Sequence, residues 1–180
     1  MSMRMADKTW NVLFLCSGNS ARSIMAEALM NHLGSLQLKS RFKGWSAGSH
    51  PAGKVNPFSI ETLQGLGLPT AGLRSKSWGE FAAPDAPPID FIFTVCDNAA
   101  GAVCPIWPGK PVTAHWGIED PTAFAGPDDK KRALFREAAL ILRRRIELFI
   151  SLPVNKLNGM ALKRELDNIG RFSEHDGTTP

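Results

Sequence analysis

A cysteine and an arginine bracket five small or amide residues in Cys16-Ser17-Gly18-Asn19-Ser20-Ala21-Arg22, with Ser23 following and the apolar run Val12–Leu15 just before. A short loop of this composition, with Gly18 as the expected pivot, can aim successive backbone N–H groups at one tetrahedral oxyanion. Arg22 adds a planar, permanently charged fork to the same anion, and Cys16 brings a nucleophilic sulfur to it. Residues Ser17, Gly18, Asn19, Ser20, Ala21, Arg22 and Ser23 are therefore the expected anion-binding loop. Helix N-termini and nearby cations lower a thiol's pKa. Cys16 has both in prospect, and Ser23 can donate a hydrogen bond that further favours the thiolate. Asn19 reads as a residue that holds the loop's shape. Ser17 and Ser20 divide between anion contacts and local caps.

An oxygen leaving a tetrahedral centre needs a proton donor. The segment His115–Phe124 supplies Glu119 and Asp120, and Pro121 biases Asp120 toward an extended backbone that can present its carboxylate on a loop. An Asp-Pro pair is also an everyday turn, so the residues alone leave both roles open for Asp120. His115 divides in the same way between a structural and a functional histidine. The remaining cysteines, Cys96 and Cys104, flank Asp97–Val103. Their spacing is not that of a zinc knuckle, and no metal or tightly bound cofactor is expected.

The elements that must position these groups follow from the hydrophobic pattern. Trp10–Leu15 reads as a buried first strand and Ser20 to about Leu38 as the first helix, with Ile24, Met25, Ala28, Leu29 and Leu33 at helical spacing. Ser17, Asn19, Ser20 and Ser23 are candidate caps at its start, and Glu27 is placed to brace the loop. Phe42–Ala47 is a second strand ended by Gly48. A helix runs from Pro57 to about Leu66, a short one over Ser75–Phe81, and Pro84–Pro88 makes a surface link. Ile89–Val95 is the best strand in the chain, apolar on both faces, with Cys96 at its carboxyl end. Val112–His115 is a short strand, Asp128 to Leu152 a long helix, and Leu157–Ile169 a last amphipathic helix expected to pack on its own domain.

This alternation predicts an α/β, three-layer sandwich with a mostly parallel four-stranded sheet and an additional C-terminal helix. Strand carboxyl ends then share one rim, where ligands bind, so Cys16, Cys96 and the segment after His115 should meet. The expected organisation is a flexible N-terminus at 1–9, a catalytic domain at 10–152, a helical extension at 153–172 and a disordered tail at 173–180.

With 180 residues, a hydrophobic content of 43% and a charged content of 21%, the chain suits one soluble domain. It has no run of about 18 apolar residues, so no membrane association is expected. The N-terminal segment lacks the apolar core of a signal peptide, which predicts a cytoplasmic protein. The net charge of +4 is modest. The basic run at Lys130, Lys131, Arg132, Arg136 and Arg143–Arg145 reads as a solvated helix face, without the interleaved aromatics of a nucleic-acid groove.

Cys16–Ser23, Ser46-Ala47-Gly48, Thr94–Pro105 and His115–Pro121 jointly resemble the arsenate reductases built on the low-molecular-weight protein tyrosine phosphatase fold. The resemblance covers about residues 10–150. It implies Cys16 as nucleophile, Arg22 and the loop amides as the arsenate site (phosphate or sulfate serving as analogues), Asp120 as general acid, and Cys96 and Cys104 as relay thiols. It also implies an external thiol reductant: a thioredoxin-like protein first, glutaredoxin or glutathione otherwise. The alternative is a low-molecular-weight tyrosine phosphatase acting on phosphomonoesters, with water replacing Cys96. Its members usually carry an aromatic residue after the Asp-Pro pair, where this chain has Thr122.

Two features depart from the thioredoxin-linked pattern: seven residues, not six, separate Cys96 from Cys104, and Ala21 stands where some members carry a cysteine. If residues 96–104 were helical, their ends would lie about 12 Å apart. A disulfide needs Cα atoms about 4.4–6.8 Å apart, so that segment is expected to bend. Some relatives hold potassium near the loop, and Asn19, Glu27 and Ser46 match part of that site.

Overall fold

The computed structural model describes residues 8–36, 41–96 and 107–172. Cys104, the segment joining it to Cys96, the tail at 173–180 and most of the N-terminal segment lie outside the described residues.

Four strands form one all-parallel sheet in the order β2-β1-β3-β4: β1 Thr9–Cys16, β2 Arg41–Gly48, β3 Phe91–Thr94 and β4 Val112–His115. β1 is central because it is apolar on both faces. Val12, Phe14 and Cys16 turn to one core, and Leu13 and Leu15 to the other. The register sets Cys16 opposite Gly48 and Leu15 opposite Thr94, so β1 ends level with both neighbours. β3 is shorter than the sequence pattern predicts. Ile89 and Asp90 remain outside it, and the Asp90 carboxylate instead accepts from the Asn11 N–H at 2.8 Å.

The larger core lies under α1 (Arg22–Ser35), α2 (Pro57–Gly65), α4 (Asp128–Ile150) and α5 (Gly159–Gly170). The smaller one packs Phe81 of α3 (Gly79–Ala82) with Trp45, Trp78 and Trp107. Helices thus cover both faces. α1 lies tight on β2, since a Cβ on Gly44 would stand 2.8 Å from the Glu27 carbonyl oxygen and the Met30 Cβ. Trp116, fully buried after β4, stacks on Phe93 with ring centres 3.9 Å apart.

α5 is capped by the Asn158 side chain, which accepts from the Ala161 N–H. It packs on β4 of its own chain, where Lys163 Nζ donates to the Thr113 carbonyl at 2.8 Å and Trp116 Nε1 donates to the Leu166 carbonyl at 3.0 Å. The basic run is mostly exposed, as its spacing suggests, but Arg145 is not: it is 5% exposed and turned into the protein.

Candidate active site

The loop between β1 and α1 is shaped by the segment that follows β2. The N–H groups of Ser49, His50, Ala52 and Asn56 donate to the carbonyls of Cys16, Ser17, Gly18 and Ser20 at 3.2, 2.9, 2.8 and 2.9 Å. A trans peptide points each carbonyl away from the next residue's N–H. Holding those four oxygens on the outer side therefore turns the N–H groups of Ser17, Gly18, Asn19 and Ala21 inward. The Asn19 N–H lies 3.1 Å from Cys16 Sγ, which places the sulfur on that inner side. The loop is thus held in shape by backbone, and two of its N–H groups meet sulfurs, Asn19 at Cys16 and Ser17 at Cys96. Gly48 permits the approach, since a Cβ there would stand 2.5 Å from the Ser17 carbonyl oxygen.

The pivot is Asn19, with φ of 45°, and not Gly18, which does not occupy the left-handed region. Asn19 tolerates this conformation because its short polar side chain is hydrogen-bonded at both its oxygen and its nitrogen. The Lys76 N–H donates to Asn19 Oδ1 at 2.8 Å, and Asn19 Nδ2 donates to Ser23 Oγ at 2.9 Å. A backbone N–H can only donate, so the amide orientation is fixed. The Ser23 hydroxyl lies 2.8 Å from Cys16 Sγ and can donate its proton to the sulfur once that is a thiolate. Sequence reading placed capping side chains at the start of α1. Helix α1 instead begins after Ala21 with no side-chain cap, because Asn19 and Ser23 are committed to each other and to the sulfur. Ser20 acts through its carbonyl, which accepts from both Asn56 N–H and Ser59 Oγ.

Burial pushes the Cys16 thiol up from its ordinary value, and the neighbouring Cys96 adds to this, while the Ser23 and Asn19 hydrogen bonds pull it down. The lowering expected from Arg22 is not exerted in this arrangement. Arg22 Nη1 donates to the Ile118 carbonyl at 3.0 Å, and Nη2 pairs with Asp120 Oδ2 at 3.3 Å. Asp120 Oδ1 accepts from both Thr122 N–H and Thr122 Oγ1, at 3.0 and 2.7 Å. Arg22 and Asp120, separated by almost a hundred residues of chain, therefore meet at the rim. His115 sits at the end of β4 with Nδ1 2.7 Å from Thr94 Oγ1.

Cys96 is buried and free, as is Cys16. Its sulfur accepts from the Ser17 N–H at 3.2 Å and lies 3.6 Å from Ser17 Oγ. The loop residue next to the nucleophile thus holds the second thiol. Ser17 is committed to a sulfur here, a role that its reading as an anion ligand or cap did not contain.

Behind the loop, Lys76 Nζ lies 3.4 Å from Glu27 Oε1, 3.5 Å from Ser46 Oγ and 3.1 Å from the Arg74 carbonyl. Ser46 also donates to Glu27 at 3.2 Å. Burial pushes the Glu27 carboxyl up from its ordinary value, opposed by Lys76 and Ser46. Glu27 and Ser46 were two of the three residues matched to a potassium site. They do not fit that ion here, because an ammonium already satisfies them and would repel a second cation. Nothing in the periodicity around Lys76 marks it for this place.

Residues 11–164 match the family model described as Low molecular weight phosphotyrosine protein phosphatase. An arsenate reductase of Halalkalibacterium halodurans is 33% identical over 77% of this chain and 93% of its own length. The crystal structure of an arsenate reductase from Archaeoglobus fulgidus superposes with a TM-score of 0.61 at 30% identity, covering 78% of this chain and 99% of that one. A thioredoxin-dependent arsenate reductase of Corynebacterium glutamicum gives a TM-score of 0.50 at 25% identity, over 79% of this chain and 64% of that one.

Proposed function

The chain belongs to the low molecular weight phosphotyrosine protein phosphatase family, and from that membership we propose that it is an arsenate reductase working by a thiol relay. The observation that carries this reading is Cys96, a second free thiol held by Ser17 of the nucleophile's own loop. A phosphatase completes its cycle with water. A reductase must remove two electrons from sulfur, and two thiols brought to one loop residue suit that task.

In the proposed cycle the arsenate dianion enters the cradle and accepts the proton of the buried Cys16 thiol. Arg22 turns from Ile118 and Asp120 to the anion. Because Asp120 Oδ1 is held by Thr122, Oδ2 is the oxygen that takes up a proton from solvent once Arg22 leaves it and can then deliver it. Cys16 attacks arsenic, Asp120 protonates the departing hydroxyl, and water leaves. Cys96 then attacks Cys16 Sγ. The sulfur–arsenic bond breaks with its electron pair remaining on arsenic, which departs as arsenite, and a Cys16–Cys96 disulfide remains. Cys104 attacks Cys96, moves the oxidation to the 96–104 pair and frees Cys16.

An external dithiol reduces that pair. Thioredoxin is the favoured reductant because the Corynebacterium glutamicum relative depends on it. A cycle that must return to free thiols suits the reducing cytoplasm. Among the described residues no helix is long and apolar enough to cross a membrane.

The discriminating experiment is Cys96→Ser, assayed for thioredoxin-coupled arsenate turnover and for aryl phosphate hydrolysis. Arsenate turnover should fall to background, while any hydrolysis of the phosphomonoester, which needs only Cys16, Arg22 and Asp120, is retained. Survival of arsenate turnover would remove the relay.

A further inference from the structure

Arg145 lies in the last third of α4, with 5% of its surface exposed and no carboxylate paired with it among the described residues. A buried guanidinium without a counter-ion is costly, and proteins seldom keep one for stability. Its bonds are all to backbone. Nη1 donates to the Trp116 carbonyl at 2.7 Å and the Gly117 carbonyl at 3.2 Å, and Nη2 donates to the Phe172 carbonyl at 3.1 Å.

Trp116 and Gly117 open the segment that ends in Asp120. Its other fixed points are the Trp116 N–H on the Thr94 carbonyl, the Ile118 N–H on the Val95 carbonyl, and the Ile118 carbonyl on Arg22. The last is released when Arg22 turns to an anion. From that moment the side-chain holds on this segment include Arg145 at its carbonyls, the α5 contact to Trp116 Nε1, the Phe93 ring stacked on Trp116 and the Thr122 bonds to Asp120 Oδ1. Phe172, just beyond α5, shares the same guanidinium. The C-terminal helix and the acid's loop are therefore tied to one side chain.

We propose that Arg145, braced by α5 through Phe172 and Trp116, is a positioning residue that holds Asp120 at the leaving oxygen after Arg22 has moved to the anion. The proposal rests on the reading of Asp120 as the general acid. Arg145 touches no substrate and acts only through the carbonyls of residues 116 and 117.

The test is a double-mutant cycle of Arg145→Met and Asp120→Asn in the full chain, read as the single-turnover rate of arsenite formation and as its pH dependence. Asp120→Asn alone should slow the step by about 10²–10⁴-fold. Arg145→Met alone should slow it about ten- to a hundredfold, as a displaced acid does, with KM for arsenate changed by less than about threefold. In the Asp120→Asn background Arg145→Met should add less than about twofold, because there is no acid left to misplace. Its pH profile should move toward that of Asp120→Asn.

Equal slowing by Arg145→Met in both backgrounds would overturn the proposal and leave Arg145 a structural residue. An Asp120→Asn protein at the wild-type rate would overturn it through its premise, which is a separate and recognisable failure. If Arg145→Met does not fold, Arg145→Lys keeps a cation, loses the planar fork and is judged by the same comparison.

Discussion

Replacing Ser23 by alanine removes two hydrogen bonds, the 2.8 Å contact to Cys16 Sγ and the 2.9 Å bond from Asn19 Nδ2, and only the first bears directly on the sulfur. Ser23 also accepts from Asn19 Nδ2, and a thiolate, which can only accept, takes the Ser23 proton in a hydrogen bond. A hydrogen bond to a charged group contributes about 1.5–3 kcal/mol, which corresponds to about ten- to a hundredfold in the rate of a step that needs the thiolate. The sign is set by the opposing influences on Cys16. Burial raises its pKa and Ser23 lowers it, so the variant must ionise at higher pH than the parent. The limb of arsenate turnover that rises with pH must move the same way.

The cleanest assay uses a Cys96→Ser, Cys104→Ser background, in which Cys16 is the only thiol of the three in the chain. Thiolate absorbance is followed against pH with and without Ser23. Loss of Cys96 itself removes an influence that raises Cys16, so the comparison is made within this background. Superimposable titration curves would refute the argument that the Lys76–Asn19–Ser23 chain of donors controls the nucleophile.

Two further outcomes follow from the loop's surroundings. Turnover should be unchanged when potassium salts are exchanged for sodium or choline at constant ionic strength, because Lys76 supplies the cation beside Glu27 and Ser46; Lys76→Met should destabilise the protein by about 3–5 kcal/mol in urea titration by stranding a buried carboxylate. Gly48→Ala should cost about 1–3 kcal/mol by the same measurement and weaken phosphate binding in calorimetry, since its methyl group would meet the Ser17 carbonyl and Asn19.

Much of this architecture was legible in the chain. The strands announced themselves by runs such as Val12–Leu15 and by Gly48 at the end of β2, as Pro57 announced the start of α2, and observed ends differ from expected ones where side chains bond backbone, as Asp90 does with Asn11. Cys16, Arg22 and Asp120 could be singled out as candidates because the proposed chemistry needs those residue types at short spacing or beside proline. What sequence reading missed was long-range. Asn19, not Gly18, makes the sharp turn, because its amide is satisfied by Lys76, 57 positions away. Arg145 looked like its solvated neighbours, and only the packing of α4 against the Trp116 segment and Phe172 turns it inward. The expected effect of Arg22 on the sulfur failed because Ile118 and Asp120, distant in sequence, claim the guanidinium first.

The placement of β1 at the centre of the sheet has a consequence for how the protein is made. The strand bearing Cys16 emerges early from the ribosome, yet one side of it waits for β3, and the groups that shape its loop include Cys96, bonded to Ser17, and the N–H of Lys76 that orients Asn19. Until those stretches have been translated, the future nucleophile is an ordinary thiol on an unfinished chain. Newborn molecules are thus open to alkylation and oxidation at the very atom that maturity encloses, and slowing elongation between codons 16 and 96 would lengthen that exposure.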